Sequence, residues 1–100
     1  MAKRKGTSWK VSTESVQGEG SWVELRGVTV GEQKAARAGQ LDDDQVIIEH
    51  VIGWNWADEA GRPLPLPKDE PGIVDTLTSE EARVLVFRIF SGDPEFDPNA

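Results

Sequence analysis

The single histidine is the residue whose side chain could most readily act as a general base or bind a metal ion. His50 follows Glu49 and stands several residues after the acidic run Asp42–Asp44. Both kinds of chemistry need other side chains that converge on the imidazole, and on a helix the aspartates would lie about one and a half to two turns away from it. We therefore expect a structural or surface histidine and no metal site.

The other acidic residues also lack the spacing of a catalytic or cation-binding motif. A Ca²⁺-binding loop needs alternating oxygen ligands, a central glycine and a distal glutamate, and this pattern does not surround Asp42–Asp44. Asp58 and Glu59 are sequence neighbours, whereas a glycosidase holds two carboxylates facing each other across the substrate.

Motifs for nucleophilic catalysis and phosphate binding are missing as well. The sequence contains no cysteine, no glycine-rich loop of the GxxxxGK[ST] type and no serine within a nucleophile elbow. We therefore expect no catalytic residue, no cofactor and no enzymatic activity.

Charge is distributed unevenly along the 100 residues, a length that corresponds to one small domain. Four basic residues put +4 on the first ten positions, so the net charge of −7 leaves −11 on the other ninety. An acidic surface repels nucleic acid and anionic lipid, so we expect neither as a partner. No stretch approaches the roughly 20 apolar residues of a membrane-spanning helix, and no hydrophobic segment follows the basic start, as a signal peptide would require.

The N-terminal part of the sequence predicts a β-hairpin. Residues 1–7 are basic and without periodicity, which indicates a disordered arm. Apolar and polar residues then alternate on both sides of the turn-forming stretch 17–20, which predicts a hairpin over residues 8–28. In the alternative interpretation only residues 21–28 are extended.

Two capping boxes mark the starts of two predicted helices. Thr29 with Glu32 predicts a helix over 30–38, and Thr78 with Glu81 predicts one over 79–90. Residues 41–52 fit either a helix or a strand. The acidic residues at the start and the glycine at the end of that segment favour a helix.

The remaining segments complete the predicted fold. Residues 57–69 indicate a turn and an extended proline-rich stretch, residues 70–77 a short helix with proline in its first turn, and residues 93–100 a flexible tail. The prediction is one α+β domain over residues 8–92, mainly helical, with an N-terminal β-hairpin or strand followed by three to four short helices.

The predicted last helix is apolar on two sides. Leu85 and Ile89 belong to a face that should be buried, whereas Val84 and Phe87 fall on the opposite side. Two explanations have equal weight. Either the apolar segment from Trp54 to Leu66 folds over that second side, or the second side binds a partner.

Three stretches of the sequence carry a resemblance to a known family. They are WNWADEAGRPLPLP at residues 54–67, LTSEE at residues 77–81 and WVELRGVTVGE at residues 22–32. Over residues 21–90 the chain resembles the small tail assembly chaperones of long-tailed, siphovirus-type bacteriophages. The match consists of turn and packing residues and includes no catalytic signature.

The resemblance implies a mostly helical protein that binds the long tape measure protein during tail assembly and is absent from the finished virion. It also implies action in the host cytoplasm, the tail tube protein as a further partner, and self-association. The predicted hairpin departs from the all-helical character of the family. The residues we expect to contact the partner are Trp54, Trp56, Leu64, Leu66, Val84 and Phe87.

Two other functions fit the same sequence features. The first is a small structural virion protein of the tail or neck. The second is an acidic protein that inhibits a host enzyme by mimicking nucleic acid, which would require carboxylates clustered on one face. Here the acidic residues are spread over predicted helix starts and turns.

Overall fold

A three-stranded antiparallel sheet lies at the centre of the fold, in a computed structural model that describes residues 8–96. The strands are β1 (Ser8–Ser12), β2 (Trp22–Arg26) and β3 (Val51–Trp54), and β2 is the middle strand. The arm predicted for residues 1–7 and the end of the tail, residues 97–100, lie outside the described residues.

β1 and β2 form the hairpin that the alternation of apolar and polar residues predicts. Trp9 pairs with Leu25 and Val11 pairs with Val23, and these four side chains are buried on one face of the sheet. The interpretation that leaves only residues 21–28 extended is therefore wrong. A short helix, α1 (Glu14–Gln17), lies within the connection between the two strands.

Four further helices complete the described fold. They are α2 (Val30–Arg37), α3 (Asp43–His50), a 3₁₀ helix (Pro71–Thr76) and α4 (Ser79–Ser91). Both predicted capping boxes are present: the Thr29 and Thr78 hydroxyls accept the backbone N–H three residues on, and the glutamate there accepts in return.

The helix predicted over residues 41–52 is wrong at its C-terminal end, because α3 ends at His50 and the chain continues directly as β3. Val51 pairs with Leu25 and is fully buried, so strand pairing at this point buries a β-branched residue that favours extended backbone. Gly53 does not cap a helix; it lies opposite Glu24 in the sheet. The helix interpretation is correct for residues 43–50, and the strand interpretation is correct for residues 51–54.

The predicted helix over residues 70–77 is a 3₁₀ helix. The N–H of Ile73 donates to Glu70 O at 3.0 Å and that of Leu77 to Val74 O at 3.2 Å, which is the three-residue spacing of 3₁₀ structure. The preceding segment contains the predicted turn. Its backbone pairs Ala57 with Pro63 across a turn.

One hydrophobic core lies between the sheet and the helices α3 and α4. Helix accounts for 44 % and strand for 18 % of residues 8–96, so the α+β class is confirmed while the description as mainly helical holds only in part. Four helices follow the hairpin among residues 8–96, within the predicted three to four, while α1 inside the hairpin connection and the strand β3 were not part of the predicted fold. The buried apolar residues are Trp9, Val11, Val23, Leu25, Val46, Ile47, Val51, Trp56, Val74, Leu85 and Ile89.

None of the helices in the described part of the chain is both long and apolar enough to cross a bilayer.

The capping box of α4 yields a stability prediction. Thr78→Ala removes the hydroxyl that accepts the Glu81 N–H at 3.1 Å, so we expect the free energy of unfolding to fall by about 1 kcal/mol, measured by urea denaturation. Ser79→Ala, an exposed neighbour outside the capping box, is the control and should change the free energy of unfolding by less than about 0.5 kcal/mol. Equal effects of the two substitutions would contradict a capping role.

Candidate functional site

The outward face of α4 exposes a large apolar side chain beside a groove. Phe87, in the middle of the helix, is 66 % exposed. It borders a groove of about 480 Å³ between α4 and α1, to which Val16 and Val84 also contribute apolar surface. We call this groove, together with Phe87, the α4 groove. Its lining residues are Ser12, Ser15, Val16, Glu80, Arg83, Val84, Phe87 and Arg88.

The position of α1 against α4 depends on Gln17. The side-chain oxygen of Gln17 accepts the Ala57 N–H at 3.0 Å, and its amide nitrogen donates to the Ala57 carbonyl at 3.1 Å and to the Glu81 carboxylate. Glu81 is itself held by the N–H of Thr78. These bonds fix α1 beside the first turn of α4, and Val16, one residue earlier, thereby becomes a wall of the groove.

A second depression lies on the other side of Phe87. It has a volume of about 430 Å³ and is formed by residues of α4 together with Asp43 at the start of α3. Phe87 and Arg83 border both depressions, so Phe87 stands as a ridge between two concave surfaces. A ridge flanked by hollows can interlock with the side chains of a partner helix.

The charges beside the α4 groove differ from the overall acidity of the chain. Arg83 and Arg88 border the groove, and neither takes part in the salt bridges formed by the described residues. Glu80 adds one negative charge at the same margin. The polar rim therefore carries both signs around an apolar floor, as at protein–protein interfaces.

The two tryptophans expected to contact a partner pack against each other. Trp54 and Trp56 stack with ring centroids 4.7 Å apart and planes within 4° of parallel. Trp56 is only 1 % exposed and its Nε1–H donates to the Thr13 hydroxyl at 2.9 Å. Trp54, which is partly exposed, donates to the Leu64 carbonyl at 3.1 Å. This stacked pair anchors the segment that follows it.

The six expected contact residues thus do not form one surface. Leu64 and Leu66 are half-buried and pack against the core, while Val84 and Phe87 line the α4 groove. The segment from Trp54 to Leu66 leaves Phe87 exposed, so of the two explanations for a two-sided helix, coverage by that segment is not observed.

His50 is fully buried, as expected for a structural histidine, and it belongs to a polar network. Its Nδ1 lies 2.7 Å from the carbonyl of Val46, and its Nε2 lies 3.1 Å from Glu32 Oε2. Arg26 approaches the same oxygen at 3.4 Å. The network joins β2, α2 and α3. The sequence indicates Glu32 only as part of a capping box, and nothing in it pairs Glu32 with His50.

Glu32 has a strongly perturbed acidity. Its partial burial on its own would raise its pKa, but the hydrogen bond from the Thr29 N–H and the neighbouring His50 and Arg26 outweigh this and lower the pKa from 4.5 to about 2. Because the pKa in the folded state is depressed, the carboxylate stabilises the fold above about pH 5, and this contribution is lost as the pH falls toward 2.

No protein-family model, curated protein or solved structure matches the chain. The α4 groove and the network around His50 are therefore interpreted from their own geometry and from the residues that form them.

Truncating Trp56 should destabilise the fold strongly, whereas truncating Phe87 should hardly change its stability. Trp56→Ala empties a buried site and removes the bond to Thr13, so we expect a loss of about 3–5 kcal/mol in the free energy of unfolding. Phe87→Ala removes an exposed ring and should change it by less than about 0.5 kcal/mol. Denaturant unfolding of both variants measures this. A large loss for Phe87→Ala would show that the ring is part of the core.

Replacing Glu32 tests the polar network. Glu32→Gln keeps a side chain that can complete the capping box but removes the charge. We expect about 1–2 kcal/mol lower stability at pH 7 and a difference from the parent chain that disappears near pH 2. Unfolding is followed between pH 7 and pH 2 in buffer containing EDTA. Glu19→Gln removes an equal charge in an exposed turn and should show neither effect. A difference between Glu32→Gln and the parent chain that stays constant with pH would contradict the assigned role of the carboxylate.

Proposed function

We propose that this chain is a tail assembly chaperone of a long-tailed bacteriophage that binds the tape measure protein through the α4 groove. The observation that carries the proposal is the exposure of Phe87, a large apolar side chain in the middle of α4 between two depressions. The resemblance over residues 21–90 supports the same interpretation and supplies the identity of the partner.

The α4 groove suits an amphipathic helix as the bound element. Such a helix inserts apolar side chains at intervals of three and four residues into a hydrophobic groove. Val16 and Val84 provide opposite apolar walls, and Phe87 would enter between the partner's side chains. A few well-packed aromatic and arginine residues commonly dominate the binding energy of an interface, and Phe87 with Arg83 and Arg88 is such a set.

The acidity of the chain has a role in this proposal. A chaperone must cover apolar surface on a long partner and also prevent the complexes from associating with one another. A formal charge of −7 makes complexes that carry several copies of the chain repel each other. In this proposal the protein acts in the host cytoplasm during assembly, and the tail tube protein and self-association are further contacts of the same surface.

The structure supports a narrower contact set than the six residues expected from the sequence. Trp56 is buried and supports the fold, and Leu64 and Leu66 hold the segment after it against the core. We assign partner contact to Val84 and Phe87, with Val16 as a third apolar wall that the sequence does not single out.

Co-expression with the tape measure protein of the same genome tests the proposal. The parent chain should keep that protein in the supernatant and co-purify with it. The double variant Val84→Glu/Phe87→Glu should lose both effects, because two carboxylates would have to be buried in the interface. Val30→Glu is the matched control, since Val30 is 69 % exposed on α2 and lies outside the groove.

The measured quantities are the soluble fraction of the tape measure protein and the amount that co-purifies. Circular dichroism of each variant alone verifies its fold. Full complex formation by the folded double variant would contradict the proposed surface. Recovery of the chain in stoichiometric amounts from purified phage particles would instead favour a structural protein of the tail or neck.

A further inference from the structure

The orientation of the buried His50 ring leaves one of its nitrogens without a hydrogen bond. Nδ1 lies 2.7 Å from the carbonyl of Val46, which can only accept, so Nδ1 carries a hydrogen. Nε2 then either carries a second hydrogen, which makes the ring cationic, or presents a lone pair to another cation. That atom is shielded from solvent and forms no aligned hydrogen bond with any described residue, although Glu32 Oε2 is 3.1 Å away. Two acceptors this close repel unless a positive species lies between them.

A third potential ligand reaches the same point. One ligand atom each from Glu32, Glu49 and His50 lies within 4.8 Å of the others. Glu32 Oε1 accepts the N–H of Thr29, and Glu49 Oε1 accepts from Gln45 at 2.7 Å. Glu32 Oε2 accepts from Arg26, at the longer distance of 3.4 Å. The second oxygen of Glu49 is therefore available for a cation, and the second oxygen of Glu32 is available if the long contact with Arg26 is replaced.

We propose that Glu32, Glu49 and His50 bind a divalent transition-metal ion, with Zn²⁺ as the ion that this ligand set fits. Metal-bound histidines usually donate their other ring N–H to a carbonyl or carboxylate, which fixes the tautomer, and His50 does so to Val46. With bonds of about 2.0–2.1 Å to Nε2 and to Glu32 Oε2, the observed separation of these atoms gives an angle of about 98° at the metal. That angle suits a tetrahedral or octahedral ion.

The surroundings of the site are compatible with a bound cation. Glu49 is exposed, so water can reach a fourth coordination position. Arg26 lies 3.4 Å from Glu32 Oε2, but its Nε–H donates to the Glu49 carbonyl at 2.6 Å. One terminal nitrogen donates to the Gly27 carbonyl at 3.2 Å, and the side chain is 38 % exposed, so the long contact with Glu32 Oε2 is the one that a bound cation would replace. Two carboxylates then balance the charge of the dication.

The site would have a structural consequence for α2. This helix contributes no buried residue, and its Glu32 side chain lies 3.1 Å from the buried His50 ring of α3. A metal ion shared by Glu32, Glu49 and His50 would add direct bonds between α2 and α3, and it would stabilise the helix that has the least apolar contact with the core.

Titration with Zn²⁺ tests the proposal directly. Calorimetry of the tag-free chain, freed of metal with chelator, should show one site, and the melting temperature should rise by at least about 10 °C at 100 times the dissociation constant. Glu49→Gln alters an exposed side chain and should fold normally, yet bind Zn²⁺ at least about tenfold more weakly. His50→Gln should abolish binding. Glu19→Gln, an exposed acid outside the site, should bind as the parent chain does.

Nuclear magnetic resonance supplies a second measurement, because the sequence contains one histidine. Coordination should shift the ¹⁵N signal of His50 Nε2 while Nδ1 keeps its hydrogen. An Nε2 signal that does not respond to Zn²⁺ would overturn the proposal. It would show that a second ring proton lies between His50 Nε2 and Glu32 Oε2. Equal Zn²⁺ affinity of Glu49→Gln and the parent chain would overturn it as well.

Discussion

The hydroxyl of Thr13 is the contact on which much of this structure depends. It is buried, accepts the Nε1–H of Trp56 at 2.9 Å and donates to the Ser21 hydroxyl, which in turn donates to the Gly18 carbonyl at 2.8 Å. Buried polar groups must be paired, and this chain of bonds pairs several of them at once. It closes the connection between β1 and β2 and fixes Trp56 in the core.

The α4 groove follows from that closed connection. Because Thr13 and Ser21 hold the ends of the connection together, α1 has a defined place, and Gln17 can bond to Ala57 and Glu81. Val16 then forms a wall opposite Val84. A polar network that is fully satisfied rigidifies its surroundings, so an apolar groove at the surface is shaped here by hydrogen bonds beneath it.

The separation of two interacting residues along the sequence explains which interactions the sequence could predict. The two capping boxes and the alternation of β1 and β2 are local patterns, and they locate α2, α4 and the hairpin. Trp56 and Thr13 are 43 residues apart, and no local pattern connects them, so the sequence could not show that Trp56 is buried. The Glu32–His50 contact was missed for the same reason. Of the expected contact residues, helical periodicity placed Val84 and Phe87 on the outer side of α4, because the opposite side holds Leu85 and Ile89 in the core.

An exposed apolar side chain alone is weak support for a binding surface, since folded proteins expose many such groups. Val30 and Phe96 are as exposed as Phe87, yet neither borders the two depressions described here. Phe87 combines exposure with concave surfaces on both sides, a rigid helix beneath it and two arginines outside the salt bridges of the described residues. A partner would therefore gain apolar burial and charge pairing at one place without reorganising the fold, and low reorganisation is what allows a small surface to bind well.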